Sequence, residues 1–298
     1  MVGSATRTAG YGETMRVLAF LDGTFADPDQ AHIRIDDLGL MRGDGIFETI
    51  LVTNGVPREL DAHLDRFARS AAKMDMAPPD REAWERVIGL VIDNWPREVE
   101  LALKIVLTRG IDGDPDEKPT AFAYGTDIAE STRKARRDGI GVATLNRGFE
   151  VDLMERAPWL LLGAKTLSYS VNMAAQREAR RRGAEDVIFT STEGYVLEGP
   201  TSNVVLARGG TLYTPPPANG ILPGTTQGDV FRAAERAGWK TEVAQLKTEE
   251  LGSGDALMLA SSVRKLTRVH TLDDVRLADD PAVSIHAELA AAYDAQYE

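Results

Sequence analysis

Strand-like and helical periodicities run along this chain without a regular alternation, and that excludes most ways of folding 298 residues. A repeating strand–helix chain would place a helix after nearly every strand. Here Met15 to Ile35 reads as short strands around Asp22-Gly23, and Ile46 to Val52 reads as another strand. Thr53-Asn54-Gly55-Val56 then carries the Asn-Gly signal of a tight hairpin. Two helices follow in succession. Leu60, Leu64, Phe67, Ala71 and Met74 recur at helical spacing within Asp61 to Met76, and Trp84, Val87, Ile88 and Val91 do so within Asp80 to Trp95. Strands at Leu101 to Thr108 and Thr120 to Tyr124 close the segment, with a charged loop between them. The pattern predicts an α+β domain.

Between Gly125 and Asp138 apolar residues thin out, and Glu130, Arg133, Lys134, Arg136, Arg137 and Asp138 cluster. A domain connection is expected there. The predicted organisation is a disordered tail over 1–14, a smaller α+β domain over 15–130 and a larger domain over 131–298, an α/β chain overall. In the larger domain, strands are expected at Gly139 to Leu145, Asp186 to Thr190, Tyr195 to Leu197, Val204 to Ala207, Thr211 to Tyr213 and Asp255 to Ala260. Helices are expected over about Ser170 to Arg182, from Thr226 to Ala237, and over about Ala282 to Ala292. Gly43-Asp44-Gly45 and Gly252-Ser253-Gly254 do not open a strand–helix unit, so a dinucleotide fold is not indicated.

Composition removes several classes of chemistry. Without cysteine there is no disulfide, thiolate nucleophile, zinc–thiolate site or iron–sulfur cluster. The four histidines, at 32, 63, 270 and 286, have no metal-motif spacing. A net charge of −12 argues against nucleic acid or an anionic membrane as partner, but it leaves room for a local basic pocket. No apolar run approaches a membrane span and the first residues are no secretory signal, so the expected location is the cytoplasm.

The chemistry concentrates in a few residues. Lys165 follows an uncharged run, Ala157 to Leu162, which would desolvate its amine and lower its pKa. A neutral amine can attack an aldehyde to form a Schiff base, then shuttle protons as base and acid. Glu198 lies 33 positions later, in Glu198-Gly199-Pro200-Thr201-Ser202-Asn203, where side chains and turn amides crowd one carboxylate. A carboxylate of that kind can keep a pyridine nitrogen protonated. For a phosphate, Arg66 offers a bidentate fork, or else it pairs with Asp61 or Asp65 on its own helix. Pro223-Gly224-Thr225-Thr226 offers two hydroxyls and backbone N–H groups at a helix start, although a plain N-cap needs one threonine only. Ser261-Ser262 adds hydroxyls at a strand end, and Asn203 can reach a phosphate or satisfy turn carbonyls. Tyr169 can brace a cofactor ring or pack in the core.

Five segments in order resemble the fold-type IV pyridoxal-phosphate enzymes: Arg42 to Thr49, His63 to Phe67, Lys165 to Tyr169, Glu198 to Asn203 and Gly220 to Thr226. That family holds the branched-chain and D-amino-acid aminotransferases and the aminodeoxychorismate lyases. The resemblance implies an α/β N-terminal domain, a larger C-terminal pseudo-barrel domain of the D-amino-acid-aminotransferase type, and pyridoxal 5'-phosphate as cofactor. It further implies Lys165 as the Schiff-base lysine, Glu198 as partner of the pyridine nitrogen, and Arg66, Thr225 and Thr226 at the phosphate. Ser262, with Ser202, Asn203 and Tyr169, would complete the cofactor site. A homodimer is implied as well.

Lys165 to Val205, with Ala260 to Arg264 and Arg268 to Asp273, looks most like the aminodeoxychorismate lyases of actinobacteria. Those convert 4-amino-4-deoxychorismate to 4-aminobenzoate and pyruvate in folate biosynthesis, with aminodeoxychorismate synthase as supplier of the substrate. The chain departs from the D-amino-acid aminotransferase pattern in three places. Gln227 stands where an arginine is typical, Leu40 where a tyrosine is frequent, and no Arg-x-His lies between Ile111 and Pro119. The alternative is transamination of D-amino acids or branched-chain L-amino acids. A small anionic substrate with two carboxylates needs cations, and Arg109, Arg264, Arg42 and Lys265 are the candidates, in that order.

Overall fold

A computed structural model of the chain describes residues 15–113 and 119–297. The expected tail over 1–14 and part of the charged loop after Asp112 lie outside the described residues. Two compact units emerge, one reaching Ala129 and including Ala164–Tyr169, the other built from Glu130–Gly163 and the chain from Ser170 on.

In the first unit, β1 (Arg16–Phe20), β2 (Phe25–Ala26), β3 (Gly45–Thr53), β4 (Val56–Pro57), β5 (Leu101–Thr108) and β6 (Ala121–Asp127) form a six-stranded sheet in the order β2-β1-β6-β5-β3-β4. Every pairing is antiparallel. Three helices accompany it: α1 (Leu38–Arg42), α2 (Leu60–Lys73) and α3 (Arg81–Asp93). Alternation decides which sheet face is buried. Ile46, Ile50 and Val52 on β3, with Leu101, Leu103 and Ile105 on β5, are almost wholly buried. The α2 stripe (Leu64, Phe67, Ala71) and the α3 stripe (Trp84, Val87, Ile88, Val91) are buried too, and Phe67 meets Trp84 edge to face at 5.2 Å. Burying each such side chain stabilises the fold by roughly 1.5–3 kcal/mol.

Local signals set the ends. The Asp80 side chain caps α3 by accepting from the Ala83 N–H at 3.1 Å. Asn54 and Gly55 both take positive φ, 53° and 76°, as a two-residue hairpin turn requires. Helix α1 has no counterpart among the sequence expectations. Its five residues bury none of their number, and it is held by Asp37, whose carboxylate accepts from the Gly39 N–H at 2.7 Å and from the Thr108 and Thr120 hydroxyls.

The second unit contains α4 (Glu130–Asp138), β7 (Ile140–Asn146), α5 (Leu153–Arg156), α6 (Ser170–Arg181), β8 (Asp186–Thr190), β9 (Asn203–Arg208) and β10 (Thr211–Thr214). It continues with α7 (Thr225–Arg236), β11 (Lys240–Val243), β12 (Ala256–Ser261), β13 (Lys265–Leu272), β14 (Val275–Arg276) and α8 (Ala282–Asp294). The sheet runs β11-β10-β9-β12-β13-β7-β8, with β14 on β13. It is mixed, parallel at β10/β11, β13/β7 and β7/β8. Its central strands are buried on both faces: Val204 to Ala207 on β9 and Leu257 to Ala260 on β12. Helices α7 and α8 cover one side through Val230, Phe231, Ala234, Leu289 and Tyr293.

Three expectations are corrected here. The charged stretch after Gly125 is not merely a connection, because α4 forms there, with no buried residue and an i,i+4 Lys134–Asp138 pair. Tyr195 to Leu197 is no regular strand; it makes isolated bridges to Thr190 and Lys247. Residues 164–169 leave the larger unit and join the smaller one, since their backbone pairs with β3.

Candidate active site

Lys165 is seated by backbone hydrogen bonds on both sides. Its carbonyl accepts from the Phe47 N–H at 3.1 Å, and its own N–H donates to Ser70 Oγ on α2 at 3.1 Å. The Leu167 N–H donates to the Gly45 carbonyl at 2.8 Å. This close approach explains the Gly43-Asp44-Gly45 run. A Cβ on Gly45 would come within 2.7 Å of the Leu107 carbonyl oxygen and 2.8 Å of Leu167, and one on Gly43, whose φ is +70°, would meet Ser168 Oγ at 2.8 Å. The Lys165 amine stands 4.6 Å from the centroid of the Phe47 ring, and Tyr169 meets the same ring edge-on at 5.4 Å. Lys165 is half-buried. The apolar run before it, Ala157 to Leu162, belongs to the second unit. It forms a short 3-10 turn at Pro158–Leu160, with Trp159 74% and Leu160 48% exposed.

Arg66 lies beneath, in a buried cluster on the core side of the same sheet. Its Nε donates to Glu48 Oε1 and its Nη2 to Glu48 Oε2, each at 2.7 Å, and His63 Nδ1 is 2.8 Å from Glu48 Oε2. Burial alone would raise the Glu48 pKa, but the Arg66 charge and its hydrogen bonds, with His63, outweigh it and hold the carboxyl far below the usual range. The helix-mates considered as partners for Arg66, Asp61 and Asp65, pair with Arg81 instead. A sequence signal for Glu48 did exist: it is the one charged residue among the inward positions Ile46, Glu48, Ile50 and Val52 of β3.

The other candidates sit in the second unit, where two of the recognised segments close on each other. Glu198 Oε2 accepts from the Leu222 N–H at 3.1 Å, and Asn203 Nδ2 donates to the Leu222 carbonyl at 2.8 Å. A Cβ on Gly224 would fall 2.1 Å from Asn203 Oδ1, so the loop backbone lies directly against the asparagine. The turn between Glu198 and Asn203 is closed by the Gly199 N–H donating to the Ser202 carbonyl at 2.7 Å. Helix α7 begins at Thr225 with Gly224 as its N-cap and no side-chain cap bond. Thr225 and Thr226 are buried at that end, and Thr226 Oγ1 is 3.5 Å from Ser262 Oγ. A helix N-terminus flanked by hydroxyls is suited to an anion.

Three of the four cations considered for substrate carboxylates have carboxylate partners of their own. Arg109 Nε donates to Asp44 at 2.8 Å, and its Nη2 closes the end of α2 through the Met74 carbonyl at 2.6 Å. Arg264 Nη2 pairs at 2.5 Å with Asp186, which is completely buried, and lies 3.5 Å from Ser202 Oγ. Lys265 pairs with Asp294 at 3.0 Å. Arg42, exposed in the last turn of α1, has no ion pair among the described residues. The sequence reading passed over Lys104. It is the one charge in the apolar strand β5, and its amine is 5.5 Å from the Phe47 centroid.

Taken by chemistry, the chain offers an amine against an aromatic ring, a half-buried carboxylate on a turn, and an anion-suited helix start with hydroxyls. These fit a cofactor that carries an aldehyde, a basic ring nitrogen and a phosphate. Among the described residues no cluster of His, Asp or Glu could hold a metal ion, and no helix is long and apolar enough to cross a membrane.

The profile of the amino-transferase class IV family matches residues 45–272. A bifunctional aminodeoxychorismate lyase / D-amino acid transaminase of Mycobacterium tuberculosis is 42% identical over 278 residues, covering 90% of this chain and 96% of that protein. A solved structure, the pyridoxal-phosphate-bound form of a hypothetical aminotransferase from the same organism, is 40% identical, with a TM-score of 0.90, covering 95% of this chain and all of that one. A fold IV transaminase from Curtobacterium pusillum is 41% identical with a TM-score of 0.86, covering 93% and 98%.

Proposed function

Because the chain belongs to the amino-transferase class IV family, we propose that it is a pyridoxal-phosphate enzyme that cleaves 4-amino-4-deoxychorismate to 4-aminobenzoate and pyruvate. The observation that carries this reading is the seating of Lys165 on β3 and α2, in a chain 42% identical to a relative whose name includes that lyase. Bound pyridoxal phosphate supplies an electron sink for the substrate carbon that bears the amine. Lys165 would hold the cofactor through its aldehyde, and as a neutral amine it would take the proton from the substrate carbon that bears the amine. Glu198 keeps the ring nitrogen protonated. The start of α7, with Thr225, Thr226 and Ser262, binds the phosphate, and Arg66, its guanidinium oriented by Glu48, adds the cation. Ser202, Asn203 and Tyr169 shape the surroundings of the ring.

Loss of the enolpyruvyl group leaves an aromatic ring, which supplies driving force. The proton removed from the ring carbon is balanced by one delivered to the departing enolpyruvate, which becomes pyruvate. Transamination is the second reading, favoured by the D-amino acid transaminase named in the same relative. It shares the first proton transfer and differs in where Lys165 returns the proton.

The test is a comparison under identical conditions. The protein loaded with pyridoxal phosphate is given enzymatically made 4-amino-4-deoxychorismate, D-alanine with a keto acid, or L-leucine with a keto acid. Formation of 4-aminobenzoate and pyruvate is expected. Transamination without 4-aminobenzoate would overturn the lyase reading.

A further inference from the structure

Two elements of the second unit bring hydroxyls to the anion-suited end of the site: the start of α7 at Thr225-Thr226, and the turn between β12 and β13 at Ser262. Thr226 Oγ1 and Ser262 Oγ lie 3.5 Å apart, so the separation of the two elements sets the spacing of these donors. The end of α8 and the 3-10 turn Ala295–Tyr297 that follows it reach both elements. Asp294, in the last turn of α8, pairs with the Lys265 amine at 3.0 Å. Lys265 closes the Ser262 turn in a left-handed conformation, φ +58°, and faces Ser261 across the ladder. Three residues after Asp294, Tyr297 donates its hydroxyl to Asp229 Oδ2 of α7 at 2.6 Å, and the Gln296 side-chain amide donates to the same oxygen at 3.3 Å.

Asp229 is buried and stands one helical turn, i,i+4, after Thr225, on the same face of α7. Its other oxygen accepts from Arg232 at 2.9 Å. The C-terminal turn is anchored as well. The Tyr297 ring meets Tyr293 edge to face at 5.8 Å, Tyr293 is buried in the core, and the Arg236 guanidinium hydrogen-bonds Gln296. Helices α7 and α8 already share apolar contacts through Val230, Phe231, Ala234, Leu289 and Tyr293, so burial alone would join them. Desolvating a carboxylate between them costs free energy that an apolar side chain would not. What the Asp229 bonds add is direction, because a hydrogen bond restricts distance and angle where apolar packing does not. They set the rotation and height of α7 against the same helix end that holds the Ser262 turn through Lys265.

We propose that Tyr297, Asp229, Asp294 and Lys265 are positioning residues: the C-terminal turn is a clamp that fixes the start of α7 against the Ser262 turn and so tunes the pair for a phosphate ester. The clamp rests on the reading of Thr225, Thr226 and Ser262 as phosphate ligands. Its effect differs in sign from that of charge alone. Asp229 is a carboxylate one turn from the anion-suited helix start, so Coulomb's law by itself would have Asp229→Asn strengthen phosphate binding. Release of the clamp weakens it.

Calorimetric dissociation constants of the full-length, cofactor-free protein for pyridoxal phosphate and for phosphate-free pyridoxal give a ratio that isolates the phosphate. Tyr297→Phe and Asp229→Asn are each expected to lower that phosphate preference about threefold. The double variant is expected to lower it no further than either alone, because both break one bond. Asp294→Asn is expected to act in the same direction through the Lys265 arm, and it keeps the test open where Asp229→Asn does not fold. A ratio unchanged in these variants, including equal losses for both ligands, overturns the clamp, and so does a raised phosphate preference in Asp229→Asn. Thr226→Val tests the underlying reading. A ratio unchanged there removes the phosphate site and the clamp with it. A ratio that falls in Thr226→Val but holds in Tyr297→Phe and Asp294→Asn leaves the site standing and removes the clamp alone.

Discussion

Arg66 grips Glu48 with two parallel hydrogen bonds of 2.7 Å, and Glu48 has no solvent exposure. Removing one partner strands a buried charge. Glu48→Gln is expected to destabilise the protein by about 3–5 kcal/mol, read as a lowered urea midpoint at neutral pH. The pH dependence follows from the depressed carboxyl. Its stabilisation is fully present above the ordinary glutamate value of 4.5 and is lost as pH falls below it, toward a folded-state value far lower. Wild type should therefore lose stability steeply below that point, and Glu48→Gln less so. Equal slopes would contradict the assignment.

Arg264 is bound to a buried carboxylate, Asp186, and its replacement should act on stability. Arg264→Met is expected to cost about 3–5 kcal/mol by leaving Asp186 unpaired. Thermal melting and steady-state kinetics separate the alternatives. A normal melting temperature with a raised KM would restore Arg264 to the substrate.

Gly45 sits where the lysine segment crosses β3. Gly45→Ala drives a methyl against the Leu107 carbonyl and Leu167, for a loss of about 1–3 kcal/mol and a displaced Lys165. The cofactor's visible absorbance should fall with stability. Retention of both at wild-type levels would mean that the segment is not seated this closely.

Thr226 at the start of α7 should matter for the phosphate and little for the rest of the cofactor. Thr226→Val is expected to weaken pyridoxal phosphate binding about tenfold, roughly 1.4 kcal/mol, while leaving the affinity for phosphate-free pyridoxal unchanged. An equal loss for both ligands would point to a packing defect.

The elements legible in the sequence were those with strong periodicity. Helices α2 and α3 and the Asn54-Gly55 turn announce themselves through spacing or turn chemistry that local physics enforces. Helix α4 was hidden because it has no apolar stripe, and α1 because its support is Asp37 and two distant threonines. The candidate site was legible as a set of short segments, and those in the second unit do meet at Leu222. What could not be read was partnership across the chain. Arg66 faces Glu48, 18 positions back and on a different element, and Lys104 shares a ring with Lys165 from a strand 61 positions away. Pairings of that kind depend on register, which emerges only when strands align. The uncharged run before Lys165 forms a turn that exposes Trp159, and the ring beside the amine comes from β3.

The most direct measurement is borohydride reduction of the protein loaded with pyridoxal phosphate, followed by peptide mapping. The cofactor is expected on the peptide that contains Lys165 in the wild-type protein, and to be absent from that peptide in Lys165→Ala. Attachment to another lysine in the wild-type protein, or no attachment at all, would contradict the account.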